Sequence, residues 1–91
     1  MEITDVRVAL RDDEKLKGFI TVTFDSCFVI RGIKVIEGRK GLFVAMPTRQ
    51  SADGSFEDVA HPIHADMRER LESRVLAEYQ SSRDGVEASL R

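Results

Sequence analysis

Apolar residues recur at every second position in the first part of this sequence and at every fourth position from Ile63 onward. The first period belongs to strands and the second to a helix, so strands must form first along the chain and a helix last. Thr4, Val6, Val8 and Leu10 alternate with Asp5, Arg7, Ala9 and Arg11, and Asp12, Asp13 and Glu14 form a polar turn. Leu16, Ile20, Val22 and Phe24 then share one face, opposite Lys15, Lys17, Thr21 and Thr23, with Phe19 breaking the polar side. Asp25-Ser26 predicts a second short turn. Cys27 to Ile36 is apolar on both parities: Val29, Ile33 and Val35 face one way, Phe28, Ile30 and Ile36 the other. Such a strand is either covered on both faces or part of an interface. Gly38 to Gly41 suits a hairpin turn, and short links throughout predict an antiparallel meander.

Leu42 to Met46 is a short apolar run between Gly41 and Pro47, which reads as a strand buried on both faces. Pro47 has no N–H to give to a ladder, so regular pairing should stop there. The chain then carries Thr48, Arg49, Gln50 and Ser51 outward, turns at Asp53-Gly54, and returns over Ser55 to Ala60. His61-Pro62 leads into the helix, whose stripe is Ile63, Met67, Leu71, Val75 and Tyr79, widened by Leu76. Its opposite face offers Asp66–Arg70, Arg68–Glu72 and Arg74–Glu78 as ion pairs. After Gln80 periodicity is lost, which predicts a domain over 1–80 and a flexible tail over 81–91.

The expected fold is therefore α+β: a four-stranded antiparallel meander, an extended hairpin-like loop and one C-terminal amphipathic helix. One helix covers one face of such a sheet. Phe19, Phe28, Ile30 and Phe43 would need cover from elsewhere, which predicts a homodimer with those residues at its interface.

Net charge is −2, but residues 15–51 hold seven bases and two acids between acidic ends. That asymmetry fits either a polyanion partner or a solvated sheet face. Arg49, flanked by Thr48, Gln50 and Ser51, is the sharpest candidate for contact with nucleic acid, since a guanidinium grips phosphate or a guanine edge through two hydrogen bonds. Arg39 and Lys40 extend a basic track or simply keep a turn soluble. Lys15 and Lys17 read as protection of strand edges, and the helix arginines as ion-pair partners.

Several classes of function find no support. Cys27, beside Phe28, reads as an inert buried thiol, and no nucleophile triad, phosphate-cradling glycine loop or convergent carboxylate pair is present, so no enzyme is expected. His61, His64 and Asp66 make a poor metal set, and neither a metal, a cofactor nor a small-molecule substrate is expected. A single cysteine and the absence of a leader-like or membrane-length apolar run predict a cytoplasmic protein without a membrane partner.

GLFVAMP, the turn DG-x-F-x-D, and AHPI followed by Met67-Arg68 resemble the stage V sporulation protein G family (SpoVG). TDVR near the start and FVIRGIKVIEG fit it too, so the resemblance runs from Met1 to Tyr79. It implies a small bacterial regulator of septation and sporulation that forms dimers and binds DNA or RNA, and it singles out Arg68 on the helix. In that family the loop resembles P-S-K/R-R/K-x-P-D-G. Here Gln50 replaces the second cation and Ala52 the proline, while His64 stands where the family has asparagine. The competing expectation is a protein–protein adaptor of the division machinery with no nucleic-acid contact.

Overall fold

The computed structural model describes residues 1–89, with side chains described as far as Gly85. Six strands precede one helix: β1 (Ile3–Leu10), β2 (Leu16–Phe24), β3 (Phe28–Gly38), β4 (Gly41–Ala45), β5 (Thr48–Gln50), β6 (Phe56–Asp58) and α1 (Ala65–Ser89). The first four form one antiparallel sheet in the order β1-β2-β3-β4, the meander expected from the short links. It ends at Ala45, just before Pro47, and β5 and β6 pair as a separate hairpin.

Helix α1 crosses one face of the sheet, coming nearest β1 and β4. Leu71, Val75 and Tyr79 are buried there with Val6, Ile20, Val22, Phe24, Ile33, Val35, Val44 and Met46, and Met67 and Leu76 pack alongside. This core is wholly apolar, as its strand and helix periods require.

A register shift between Leu16 and Gly18 sets Leu16 opposite Ile36, off the face expected for it with Ile20, Val22 and Phe24, and a smaller one falls between Ile3 and Asp5. Two further irregularities depart from simple alternation. On β3, Ile33 pairs with Ile20 but Ile30 pairs with Val22, so three steps on one strand match two on the other. The extra residue is accommodated at Gly32, whose φ of 83° glycine adopts freely. Side-chain parity reverses across this bulge. Ile30 thus joins the covered face and packs on the core, while Val29, opposite Thr23, moves to the open face. Phe28 lies opposite the buried Phe24, at the sheet's end, and stays 59% exposed. Phe19, Phe28, Ile30 and Phe43 therefore do not share one uncovered face; only Phe19 and Phe43 do.

The second irregularity is the β2–β3 turn. Asp25 and Ser26 both have positive φ, the signature of a tight hairpin turn whose twist matches that of its strands, and the Cys27 N–H donates to the Phe24 carbonyl at 3.0 Å. Strand β1 locks onto this turn: Glu2 N–H donates to the Asp25 carboxylate at 2.8 Å and Ser26 N–H to Thr4 Oγ1 at 2.9 Å. Cys27 is exposed here, not buried on a strand, because the turn projects past the core.

Helix α1 also departs from its expected stripe. Ile63 precedes it and is 80% exposed. His64 occupies the cap position, accepting from the Arg68 N–H at 3.1 Å. An apolar residue before a cap normally packs on the fourth helical residue, but that residue is Arg68, so Ile63 has no apolar partner there. Replacing the cap by the residue the family resemblance points to, His64→Asn, should raise stability by about 0.5–1 kcal/mol. A thermal melt at fixed protein concentration checks this, and an unchanged midpoint would show that the N-terminal N–H groups gain nothing from the new amide. At the other end α1 runs through Ser89, whereas aperiodicity after Gln80 predicts its end there. Arg83 supports the continuation, donating to Gln80 Oε1 at 2.7 Å and lying 5.8 Å from the centre of the Tyr79 ring. Of the expected 81–91 tail, residues 90 and 91 lie outside the described residues. No helix among the described residues is long and apolar enough to cross a membrane.

Candidate nucleic-acid interface

The Thr48–Ser51 segment stands out from the body of the protein on the β5–β6 hairpin, all six of whose paired residues are exposed. A bare two-stranded hairpin is marginal by itself. Here its base is tied by Val59 N–H donating to the Pro47 carbonyl at 2.7 Å, and its tip by Ser51 N–H to the Ser55 carbonyl at 2.7 Å. At the turn the Asp53 carboxylate accepts from Ser55 Oγ at 2.6 Å and from Ser55 N–H at 3.0 Å. The Ser55 hydroxyl, and then its backbone N–H, hold the Asp53 carboxyl below its ordinary pKa. Gln50 Nε2 donates to the Gly54 carbonyl at 3.2 Å, so part of its amide serves the turn.

The register divides the candidate residues between two faces. Thr48 pairs with Asp58, Arg49 with Glu57 and Gln50 with Phe56. Directly opposed residues point the same way. Arg49 therefore shares one side with Glu57, while Thr48 and Gln50 share the other with Asp58 and Phe56. Although Glu57 lies opposite Arg49, the only ion pairs among the described residues are Arg7–Asp5 at 3.1 Å and Arg74–Glu78 at 3.3 Å. The expected Asp66–Arg70 and Arg68–Glu72 pairs are not formed. Ser51 is half-buried at the hairpin's tip.

Arg39 and Lys40 are exposed at the β3–β4 turn, at the far end of β4 from the hairpin. Strand β4 separates them by roughly 17 Å, taking about 3.3 Å per residue. They do not form one continuous track with Arg49 inside a single chain. Arg68 is exposed in the first turn of α1, on the hairpin side: the small cavity beneath that turn is lined by Met46, Ala60, Pro62 and Met67. Among the described residues no group of three or more His, Cys, Asp or Glu is placed to hold a metal ion.

Sequence reasoning missed the apolar surface at this same end. Phe56 is 69% exposed, Val59 and Ile63 are also open, and Met1 and Phe28 add to them. A signal existed: Phe56 and Val59 are apolar residues in a segment that, among the described residues, forms only a two-stranded hairpin.

A sequence profile of the SpoVG family matches residues 1–81, nearly the whole chain. The chain belongs to the SpoVG family. Similar relatives are named as candidate septation proteins SpoVG. That of Anaeromyxobacter sp. (strain K) is 56% identical over 79 residues, covering 87% of this chain and 78% of the relative. That of Thermoanaerobacter pseudethanolicus is 53% identical over 85 residues, covering 92% of each. That of Myxococcus xanthus is 51% identical over 80 residues, covering 88% of this chain and 81% of the relative. The SpoVG match spans the sheet, the hairpin and α1 to the buried Tyr79, so the core and the exposed arm both fall within it.

Proposed function

We propose that this SpoVG-family chain is a nucleic-acid-binding regulator of septation, and by its family resemblance of sporulation, acting as a homodimer. The observation that carries this reading is Arg49, an exposed guanidinium with no ion-paired carboxylate among the described residues, held on a tied hairpin that projects from the body. A charge presented on such an arm reaches a phosphate without either partner reshaping its core. Ser51 shares the strand parity of Arg49, Thr48 and Gln50 offer neutral donors on the other face of the hairpin, Arg68 adds a cation at the same end, and Arg39 and Lys40 add two at the other. The dimer would use the apolar residues clustered near the hairpin, Phe28 and Phe56 among them. Because Phe56 and Arg49 occupy opposite faces of the hairpin, one face suits a second copy and the other the ligand.

Two Arg49 arms on one dimer double the phosphate contacts available to a single chain. On duplex DNA, Arg49→Ala should flatten the log–log salt slope by roughly 0.9 for each arm engaged and weaken binding at every sequence. A mobility-shift titration across a salt series measures this, and unchanged affinity and slope remove the hairpin from the interface. The exposed Phe56, Val59 and Ile63 also favour a second reading, an adaptor for a protein of the division machinery. Binding through that surface would barely respond to salt, whereas phosphate contacts weaken steeply between low and moderate salt.

A further inference from the structure

At the end of the sheet remote from the hairpin, a cleft of about 590 Å³ opens between the β1–β2 and β3–β4 turns, lined by Lys15, Lys17, Arg39, Ile36, Glu37 and Phe43. Its volume falls within the range of small-ligand sites. We propose that this cleft takes one unpaired nucleotide of a single-stranded nucleic acid, the base stacked on Phe43 and the adjoining phosphates held by Lys15, Lys17 and Arg39. This rests on the nucleic-acid reading above and names the form of strand it recognises.

The ring is built to be presented. Phe43 lies opposite Ile36 on the open face and is 46% exposed. It leans over Gly38, where an added Cβ would sit 3.0 Å from its Cε1 atom, so the ring rests closely on the glycine and a side chain there would make it shift by a few tenths of an ångström. Leu16, also opposite Ile36, completes a small apolar corner. On the rest of that face Ala9, Phe19, Val29 and Ala45 are interspersed with Arg7, Thr21, Thr23 and Lys34, and the Arg11 guanidinium lies 5.1 Å from the centre of the Phe19 ring. An interface with another copy has a core poor in charge, which this face lacks.

The cations are available. None of Lys15, Lys17 and Arg39 has an ion-paired carboxylate among the described residues, and Lys17 Nζ donates only to the Asp13 carbonyl, at 2.9 Å. Glu14 and Glu37 also line the cleft, leaving it one net positive charge and giving acceptors for an N–H on a base edge, such as N3–H of uracil. A ring with cations around it is the combination that binds single strands, because every base has a face to stack. A base paired inside a duplex keeps its face within the stack and cannot reach Phe43.

The test compares polarisation of a labelled 12-nucleotide uridine strand with that of a labelled duplex of equal length, for wild type, Phe43→Leu, Arg39→Ala and Arg49→Ala. Phe43→Leu keeps an apolar side chain in the strand, and circular dichroism checks that it folds. Expected is a loss of about ten-fold or more on the single strand with Phe43→Leu, and duplex binding within about two-fold of wild type. Arg39→Ala, at a surface turn, should likewise weaken the single strand and reduce its salt slope by roughly 0.7. If Phe43→Leu and Arg39→Ala both bind the single strand like wild type while Arg49→Ala is weakened, the cleft proposal fails alone. If Arg49→Ala behaves as wild type and the two cleft variants are weakened, the hairpin reading fails and the cleft stands. A wild-type protein that binds neither probe overturns both.

Discussion

Leu71→Ala is expected to lower the stability of the fold by about 2–5 kcal/mol, towards the upper part of that range. Leu71 is only 2% exposed and sits where α1 meets the sheet. A small cavity of about 100 Å³ already adjoins it, lined also by Phe24, Ile30, Met46 and Met67. Truncation would enlarge that void, and the strands on its far side cannot close it without breaking the ladder that holds them. A domain of this size has a total stability of only about 5–15 kcal/mol, so the loss is a large share. Urea denaturation with an unchanged slope measures the effect, repeated at several protein concentrations because association would itself add apparent stability. A loss below about 1 kcal/mol would mean that the helix is not anchored through Leu71.

Gly32→Val should be the most damaging single change in the sheet that leaves every buried side chain in place. At a φ of 83° a β-branched residue is strained, which costs about 1–3 kcal/mol. The first carbon of a side chain would make only an ordinary contact, 3.5 Å from Pro47 Cβ, so the cost comes chiefly from the backbone conformation. The chain cannot escape by flattening the bulge. Doing so would turn either Ile30 or the pair Ile33 and Val35 away from the core, since one residue of slip reverses every side chain beyond it. Alanine at the same position meets the same ordinary contact and is also strained at this φ, but without β-branching should cost less. Thermal melts of the two variants decide the matter, with a shift of about 4–8 °C for each kcal/mol lost in a domain this small. Equal, small shifts would show that the bulge is not what sets the faces of β3.

Most of the fold was legible along the chain. Alternation around Val6 and Val22, the glycines bracketing Arg39-Lys40, and a four-residue stripe from Met67 to Tyr79 each report a local preference that the packed structure keeps. The faces of β3 were not legible, because Gly32 reads as one more residue in an apolar run until its partners on β2 reveal the extra step. The exposure of Cys27 and Ile63 was hidden for a related reason: both are apolar, and only the positions of the β2–β3 turn and the helix cap show that the core stops short of them. In the candidate interface, Arg49, Arg39 and Lys40 could be named from residue type and surroundings. That Arg49 faces away from Gln50, and that β4 stands between it and Arg39, follows from register and strand direction.

Sequence alone therefore determined the four strands of the sheet and the presence of one helix, where the turns between those strands fall, and which kinship the chain carries, because hydrophobic period, turn residues and motifs are local properties. Tertiary structure alone decided which apolar residues remain in solvent and which cations keep company with which rings. Those outcomes depend on pairing between distant strands, where one residue at Gly32 exchanges the inside for the outside and a β-ladder places Phe43 beside Lys15, twenty-eight positions away in the chain.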